Sequence, residues 1–269
     1  MAVDPTTRDE RTAGRRRGVA YNKACITRRR QVTDDLYVMR LKPEEPFTFK
    51  PGQYCTVCVD DIERPYSIVS APEEDEIELF IELVPPPTGV LTPILCKLNE
   101  GDELNVRPRA KGIFTFDPAY KNHLMVSTVT GAAPYVSMLR HLIREGAIGQ
   151  WNFHILQGAS YQDEFVYDAE FRALAEKYPN VKFVPTVSRP NAPRNRGWNG
   201  QTGRVNLIVE EYARKNGLST ADTLVYACGH PGMIDDVRER MTASGYNVKD
   251  ERFWKEDEEP EPVSSHGLK

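Results

Sequence analysis

No stretch of this sequence approaches the ~20 consecutive apolar residues that a membrane-spanning helix needs, so no span is expected. No apolar segment follows the first arginines, and a secretory leader is not expected. Net charge is small: 35 basic residues against 39 acidic ones leave −4, which speaks against a nucleic-acid partner. Cysteine is scarce. Of the five, Cys55 and Cys58 form a C-x-x-C, but no second pair completes a four-ligand metal site. The surrounding "QYCTVCV" reads as a strand, where a spacing of three puts the two side chains on opposite faces. The scattered, odd-numbered thiols therefore read as buried residues of a protein in a reducing cytoplasm, with no metal site. Internal repeats are lacking as well.

What is there begins with a core. Of 269 residues 40% are hydrophobic and 28% charged, enough for one large domain or two ordinary ones. Charge is uneven along the chain. Arg11, Arg15, Arg16 and Arg17 crowd one end, and Glu256, Asp257, Glu258, Glu259 and Glu261 the other. Both ends are poor in apolar residues, so residues 1–19 and 257–269 read as a basic and an acidic flexible tail.

Between the tails the rhythm changes once. Residues 20–118 alternate short β-rich runs ("DDLYVMRLK", "QYCTVCV", "PYSIVS", "EIELFIELV", "DELNVR") with turn chemistry such as "KPGQ" and "NEGD". That pattern predicts an antiparallel barrel, closed or nearly so. Residues 119–256 alternate strands with helices. In "PYVSMLRHLIREG", Tyr135, Met138, Leu139, Leu142 and Ile143 share one helical face, Pro134 suits the first turn and Gly146 the stop. Strand–helix alternation predicts a doubly wound parallel α/β domain, with ligands at the carboxyl ends of its strands. Those ends read "STVTGAAP", "LQGASY", "TVSRP" and "ACGHPGM".

One strand carries unusual chemistry. In "ERPYSIVS", Arg64 and Tyr66 lie two apart and project from one face, with Ser67 beside them. An aromatic face, an arginine fork and a hydroxyl suit a flat ring tied to phosphate, as in a flavin nucleotide. A surface arginine beside a packed tyrosine is the alternative, and the motif alone leaves both open.

The motif does not stand alone. R-x-Y-S on a barrel strand, a small-residue turn ending in A-P before a helix, and a late C-G-x-P-x-M occur in order here. Together with "GAAPYVSMLR", "TVSRP", "TGRV", "YACGHPGM" and the near-terminal "ERFW", they resemble the ferredoxin–NADP+ reductase family, above all its bacterial flavodoxin/ferredoxin branch. The resemblance runs from about residue 20 to 254. It implies an FAD-binding barrel followed by an NADP-binding α/β domain. Arg64 would hold the flavin diphosphate, Tyr66 would stack on the isoalloxazine, and Ser67 would lie near its N5, with Pro65 in the same segment. Glu82, Leu83 and Val84 would run beside the adenosine or ribityl part. Backbone amides of Gly89, Val90, Leu91 and Thr92 would cup the phosphates, in a loop stiffened by Pro85–Pro87. Trp254 would cover the other flavin face.

The resemblance also implies a dinucleotide turn at Thr130, Gly131 and Ala133, with Thr130 serving the flavin as well. A valine, Val129, stands where the family usually has a glycine. Ser188, Arg189 and Arg204 would clamp the 2′-phosphate of NADP. Ser160 replaces an arginine frequent in the family, and Arg194 and Arg196 read as loop solvation. Cys228 and Gly229 would meet the nicotinamide, with Pro231 and Met233 completing that segment. Ser67, Cys228 and Glu251 would flank the chemistry.

The activity implied is electron transfer between NADP(H) and ferredoxin or flavodoxin through FAD, by a cytoplasmic monomer. An NADH-dependent reductase serving an oxygenase, an electron-delivering subunit of a larger complex, and a flavin-binding module without turnover are the alternatives. The first two usually carry a cysteine cluster, which this sequence lacks.

Overall fold

A computed structural model describes residues 20–252. Trp254 and both tails lie outside the described residues.

The first sheet is built from β1 (Asn22–Gln31), β2 (Leu36–Pro43), β3 (Tyr54–Val59), β4 (Ile62–Ser67) and β5 (Ile77–Glu82). A short helix α1 (Thr92–Leu95) and β6 (Glu103–Val106) follow. The strands pair antiparallel in the order β4-β3-β6-β1-β2-β5. The edges nearly meet through a bridge between Ile68 and Leu79, supported by the Val69 N–H donating to the Glu78 carbonyl at 2.8 Å. The expected barrel is present. Asp60 and Asp61, at φ 50° and 61°, make the two-residue turn between β3 and β4.

Alternation fills this barrel. Tyr37, Met39 and Leu41 of β2 and Ile77, Leu79 and Ile81 of β5 point inward with Cys55 and Val57. Cys58 is buried outside that core cluster and lies near enough to Tyr21 to raise its phenol pKa. The two thiols thus occupy opposite faces, and all five cysteines are free. The outward residues Leu36, Val38 and Phe80 are buried too, because the second domain covers them.

That domain contains β7 (Asn122–Thr128), α2 (Ala133–Arg144), β8 (Asn152–Ala159), α3 (Asp168–Lys177), β9 (Val181–Val187) and β10 (Gln201–Thr202). It continues with α4 (Val205–Lys215), β11 (Thr223–Cys228), α5 (Pro231–Ala243) and β12 (Asn247–Glu251). All six strands run parallel in the order β10-β9-β8-β7-β11-β12. α2 and α3 pack on the barrel side of the sheet, α4 and α5 on the other. The chain therefore switches direction between β7 and β11, where a crevice opens at the strand ends.

α2 is more than an amphipathic helix. Every residue from Ala133 to Leu139 is buried, because the helix lies between the sheet and the barrel. Ser137 Oγ donates to the Ser70 carbonyl of the barrel at 2.7 Å. Gly52 is required there: a Cβ would fall 2.4 Å from Met138 Cε and 2.1 Å from the Phe114 carbonyl. Further along, Arg140 makes two 2.8 Å hydrogen bonds to Glu170 and lies 3.6 Å from Glu78, whose carboxylate also accepts from the Tyr167 hydroxyl at 2.8 Å.

Candidate functional site: a crevice between barrel and parallel sheet

β4 ends at the domain boundary. Tyr66 pairs with Cys55 and Arg64 with Val57, so the arginine and tyrosine share a face, while Pro65 belongs to the other. Pro65 is half-buried on that other face. Arg64 is exposed, and its guanidinium donates only to the Glu63 carbonyl, at 2.8 Å. It lies close enough to Tyr66 to draw its phenol pKa down against the larger upward push of burial.

Ser67 meets two residues of the second domain. Cys228, the last residue of β11, is paired in register with Glu251 of β12. Burial pushes the Cys228 thiol up, Glu251 adds to this, and nearby Ser67 opposes it. Burial also lifts the Glu251 carboxyl from the ordinary 4.5 to about 8. One Glu251 oxygen would lie 2.8 Å from a Cβ on Gly112, at φ 104°, so glycine there leaves room for the carboxyl.

Among the described residues, Ser67 Oγ and Glu251 Oε2 are buried here without a hydrogen-bond partner, as is Tyr66 Oη on the other face of β4. Buried polar atoms are nearly always paired. A polar-edged aromatic ring in the crevice would offer partners to the first two, and the exposed Arg64 would meet a phosphate. The residues present fit a flavin nucleotide.

The loop after β5 is placed as expected but used differently. Thr92 Oγ1 accepts from the Val84 N–H at 3.0 Å and donates to its carbonyl at 3.1 Å. The Gly89 amide donates to the Pro85 carbonyl at 3.0 Å, and a Cβ on Gly89 would fall 1.7 Å from the Val84 carbonyl. The Val84 and Gly89 amides thus close the loop on itself. The Leu91 side chain is in the barrel core, so only its backbone can face a ligand. Glu82 is exposed at the end of β5.

At the switch point two loops touch. A Cβ on Gly131 would meet the Cys228 carbonyl at 2.1 Å, and one on Gly229, at φ 129°, would meet Thr128 Oγ1 at 2.3 Å. Thr128 Oγ1 accepts the His230 N–H at 2.8 Å. Both glycines are thus demanded by loop–loop contact, a reason the sequence did not reveal. Val129 sits between them at φ 40°, a left-handed conformation that β-branched residues rarely adopt. Thr130 is half-buried, and Ala133 is buried at the start of α2. Pro231 opens α5 and is buried. Met233 packs into the core beneath α4 and α5 with Leu124 and Val205.

Strand pairing brings the residues expected to clamp a 2′-phosphate together. Val187 of β9 pairs with Thr202 of β10, so Ser188 and Arg189 lie beside Gly203 and Arg204. All three polar residues are exposed. Sequence reasoning missed what positions Arg189. Its Nη1 donates to the Tyr161 hydroxyl at 2.8 Å, and the Arg194 guanidinium lies 4.0 Å from the Tyr161 ring centre. Arg194 is itself held by Asp163 through bonds of 2.7 and 3.0 Å. Asn195, buried, donates to the Ser160 and Arg189 carbonyls at 2.9 and 2.8 Å and fastens the two loops together. The only cue was the short spacing of polar residues in "SYQDE" and "APRNR". Among the described residues no helix is long and apolar enough to cross a membrane.

Comparison with known proteins agrees with this geometry. The family described as "FAD-binding domain" matches residues 22–132, and "Oxidoreductase NAD-binding domain" matches residues 125–239. Ferredoxin–NADP reductase B of Sorangium cellulosum is 32% identical over 202 residues, 72% of this chain and 79% of that protein. The toluate 1,2-dioxygenase electron transfer component of Pseudomonas putida is 25% identical over 229 residues, 83% of this chain. The chain spans 64% of that protein's length, and 63% of the length of another relative, RfbI of Salmonella typhimurium. A ferredoxin NADP+ reductase structure from Neisseria gonorrhoeae, with bound FAD and NADP, superposes with a TM-score of 0.75 at 22% identity, covering 87% of this chain and 99% of that one.

Proposed function

The chain belongs to the ferredoxin–NADP+ reductase family, and from that premise we propose that it transfers electrons between NADP(H) and a one-electron carrier protein, a ferredoxin or a flavodoxin. FAD and a nicotinamide dinucleotide are the cofactors of this oxidoreductase family. The observation that carries the reading is the convergence of Ser67 from the barrel with Cys228 and Glu251 from the parallel sheet, around unpaired buried oxygens.

When bound, FAD would supply the redox chemistry, taking up two electrons as a hydride and giving them up one at a time. The chain's own residues do the rest. Arg64 holds a phosphate and Tyr66 covers one ring face. Ser67 offers a hydroxyl to the ring edge, and Cys228 supplies a buried, uncharged surface against which a nicotinamide lies. Glu251, protonated below about pH 8, keeps a proton at its carboxyl beside that contact. Arg189 and Arg204 have no acidic partner among the described residues and face the position of a 2′-phosphate.

Service to an oxygenase is the second reading, and the Pseudomonas putida relative favours it. The purified yellow protein is reduced anaerobically with NADPH or NADH and then offered ferredoxin, flavodoxin and an oxygenase component in turn. Reduction by NADPH and rapid reoxidation by ferredoxin or flavodoxin supports the first reading. Reduction by NADH alone, with electrons passing only to the oxygenase, supports the second.

A further inference from the structure

A cleft of about 300 Å³ lies away from the crevice, where the outer face of β1 and β2 meets the start of α3. Its floor is apolar, from Val38, Val166 and Tyr167. Four arginines, Arg28, Arg30, Arg40 and Arg140, and two carboxylates, Glu78 and Glu170, supply its charged lining. The register of β1 on β2 shifts between Ile26 and Arg28. Such bulges re-aim the side chains that follow. Past the shift, Arg28 and Arg30 line the cleft, while Arg29 turns away to lie 4.9 Å over the Tyr37 ring.

Arg28 stands directly opposite Arg40 on the neighbouring strand. Like charges so placed repel, and they destabilise a sheet unless something compensates. The carboxylates of the cleft are already engaged: Glu78 by Arg40, Tyr167 and Arg140, and Glu170 by Arg140. Arg28 and Arg30 are exposed and have no acidic partner among the described residues. Two uncompensated guanidinium forks two residues apart on one strand, with a third across from them, match the geometry of phosphate oxygens.

We propose that this cleft is a second anion site, taking a small organic phosphate with its phosphate groups on Arg28 and Arg30 and its organic part over Val38 and Tyr167. None of these residues belongs to the crevice, so the site is independent of the redox reaction. A ligand there touches β1 and β2 of the barrel and α3 of the parallel-sheet domain at once. Occupancy therefore ties the two domains together.

The test uses the flavin-loaded full chain at low ionic strength with excess NADP+, so that the nicotinamide site is filled. Inorganic pyrophosphate and ADP are titrated calorimetrically, with thermal unfolding in parallel. The expected result is one equivalent of binding, tighter for ADP, a raised melting temperature, and loss of at least tenfold in affinity in Arg28→Ala/Arg30→Ala. That variant should keep its flavin spectrum and its rate of reduction by NADPH. Arg214→Ala/Arg238→Ala, which removes two exposed arginines elsewhere, should bind as the native protein does. Absence of binding, unchanged affinity in the first variant, or an equal loss in the second overturns the site. Equal affinity for pyrophosphate and ADP overturns the role of the apolar floor.

Discussion

At the scale of single residues, Val129 is the clearest conflict between local preference and position. A left-handed backbone costs a β-branched residue about 1–3 kcal/mol, while its half-buried side chain packs against both the α2 core and Phe165. The two terms oppose each other. Val129→Gly should therefore leave stability within about 1 kcal/mol of the native protein, where an ordinary core valine so truncated costs several times more. Urea denaturation decides it, and a loss above about 3 kcal/mol would show that the turn is not strained.

Glu251 carries a pH signature. Below pH 4.5 the folded and unfolded chains both hold its proton, and burial costs nothing. Between 4.5 and about 8 the unfolded chain releases the proton while the folded one keeps it, so stability falls as pH rises. The cost is complete above pH 8, growing by about 1.4 kcal/mol per pH unit across the window at most. Flavin-free Glu251→Gln should accordingly exceed the native protein in stability at pH 8.5, with the gap closing towards pH 5. A pH-independent gap contradicts the burial of that carboxyl.

Asp163 bears on the proposed 2′-phosphate clamp, since its carboxylate occupies Arg194 beside Tyr161 and Arg189. Asp163→Asn frees that guanidinium and removes a negative charge beside the proposed 2′-phosphate position. The KM for NADPH should fall about two- to fivefold, the worth of an exposed ion pair, with NADH unaffected. An equal change for both cofactors would place Asp163 elsewhere. The sequence disclosed Ser188, Arg189 and Arg204 through their motifs. It could not disclose Tyr161, Asp163 or Asn195, because their roles arise where the loops after β8 and β9 meet.

At the scale of elements, β2 to β8 are legible as short runs of strand-forming residues, and β5, β7 and β8 lack polar alternation because they are buried on both faces. β1 was not legible: its "TRRRQ" end looks like a charged loop, and only pairing with β2 and β6 makes it a strand. β12 is not evident from the sequence, where "ERFW" stands out by its family resemblance, yet it is the sixth parallel strand and carries Glu251. α2 was read as one apolar face but is buried on nearly all sides in its first two turns, because a second domain covers what one domain leaves open. The ion network along α2 depends on that cover. Glu78 is 4% exposed and is neutralised by Arg40 and Arg140. Arg140→Ala strips one counter-charge from a buried carboxylate and should cost about 3 kcal/mol. A loss below 1 kcal/mol in chemical denaturation would mean that Arg40 alone suffices.

At the scale of the molecule, two domains of different construction meet so that each completes the other's site. In the proposed site the barrel brings Arg64, Tyr66 and Ser67; the parallel sheet brings Cys228, Glu251, Arg189 and Arg204. The order of motifs made this architecture legible, whereas the contacts that hold it, Ser137 to Ser70 and Tyr167 to Glu78, join residues 67 and 89 positions apart. The account stands on hydride delivery from a nucleotide held by its 2′-phosphate to a flavin beside Ser67 and Cys228. Anaerobic stopped-flow reduction of the flavin by NADPH and by NADH, in the native protein and in Arg189→Ala, tests this most directly. Fast reduction by NADPH that Arg189→Ala weakens at least tenfold at limiting nucleotide, with the NADH rate nearly unchanged, is the predicted result. A flavin that neither nucleotide reduces, or an equal loss with both, contradicts it.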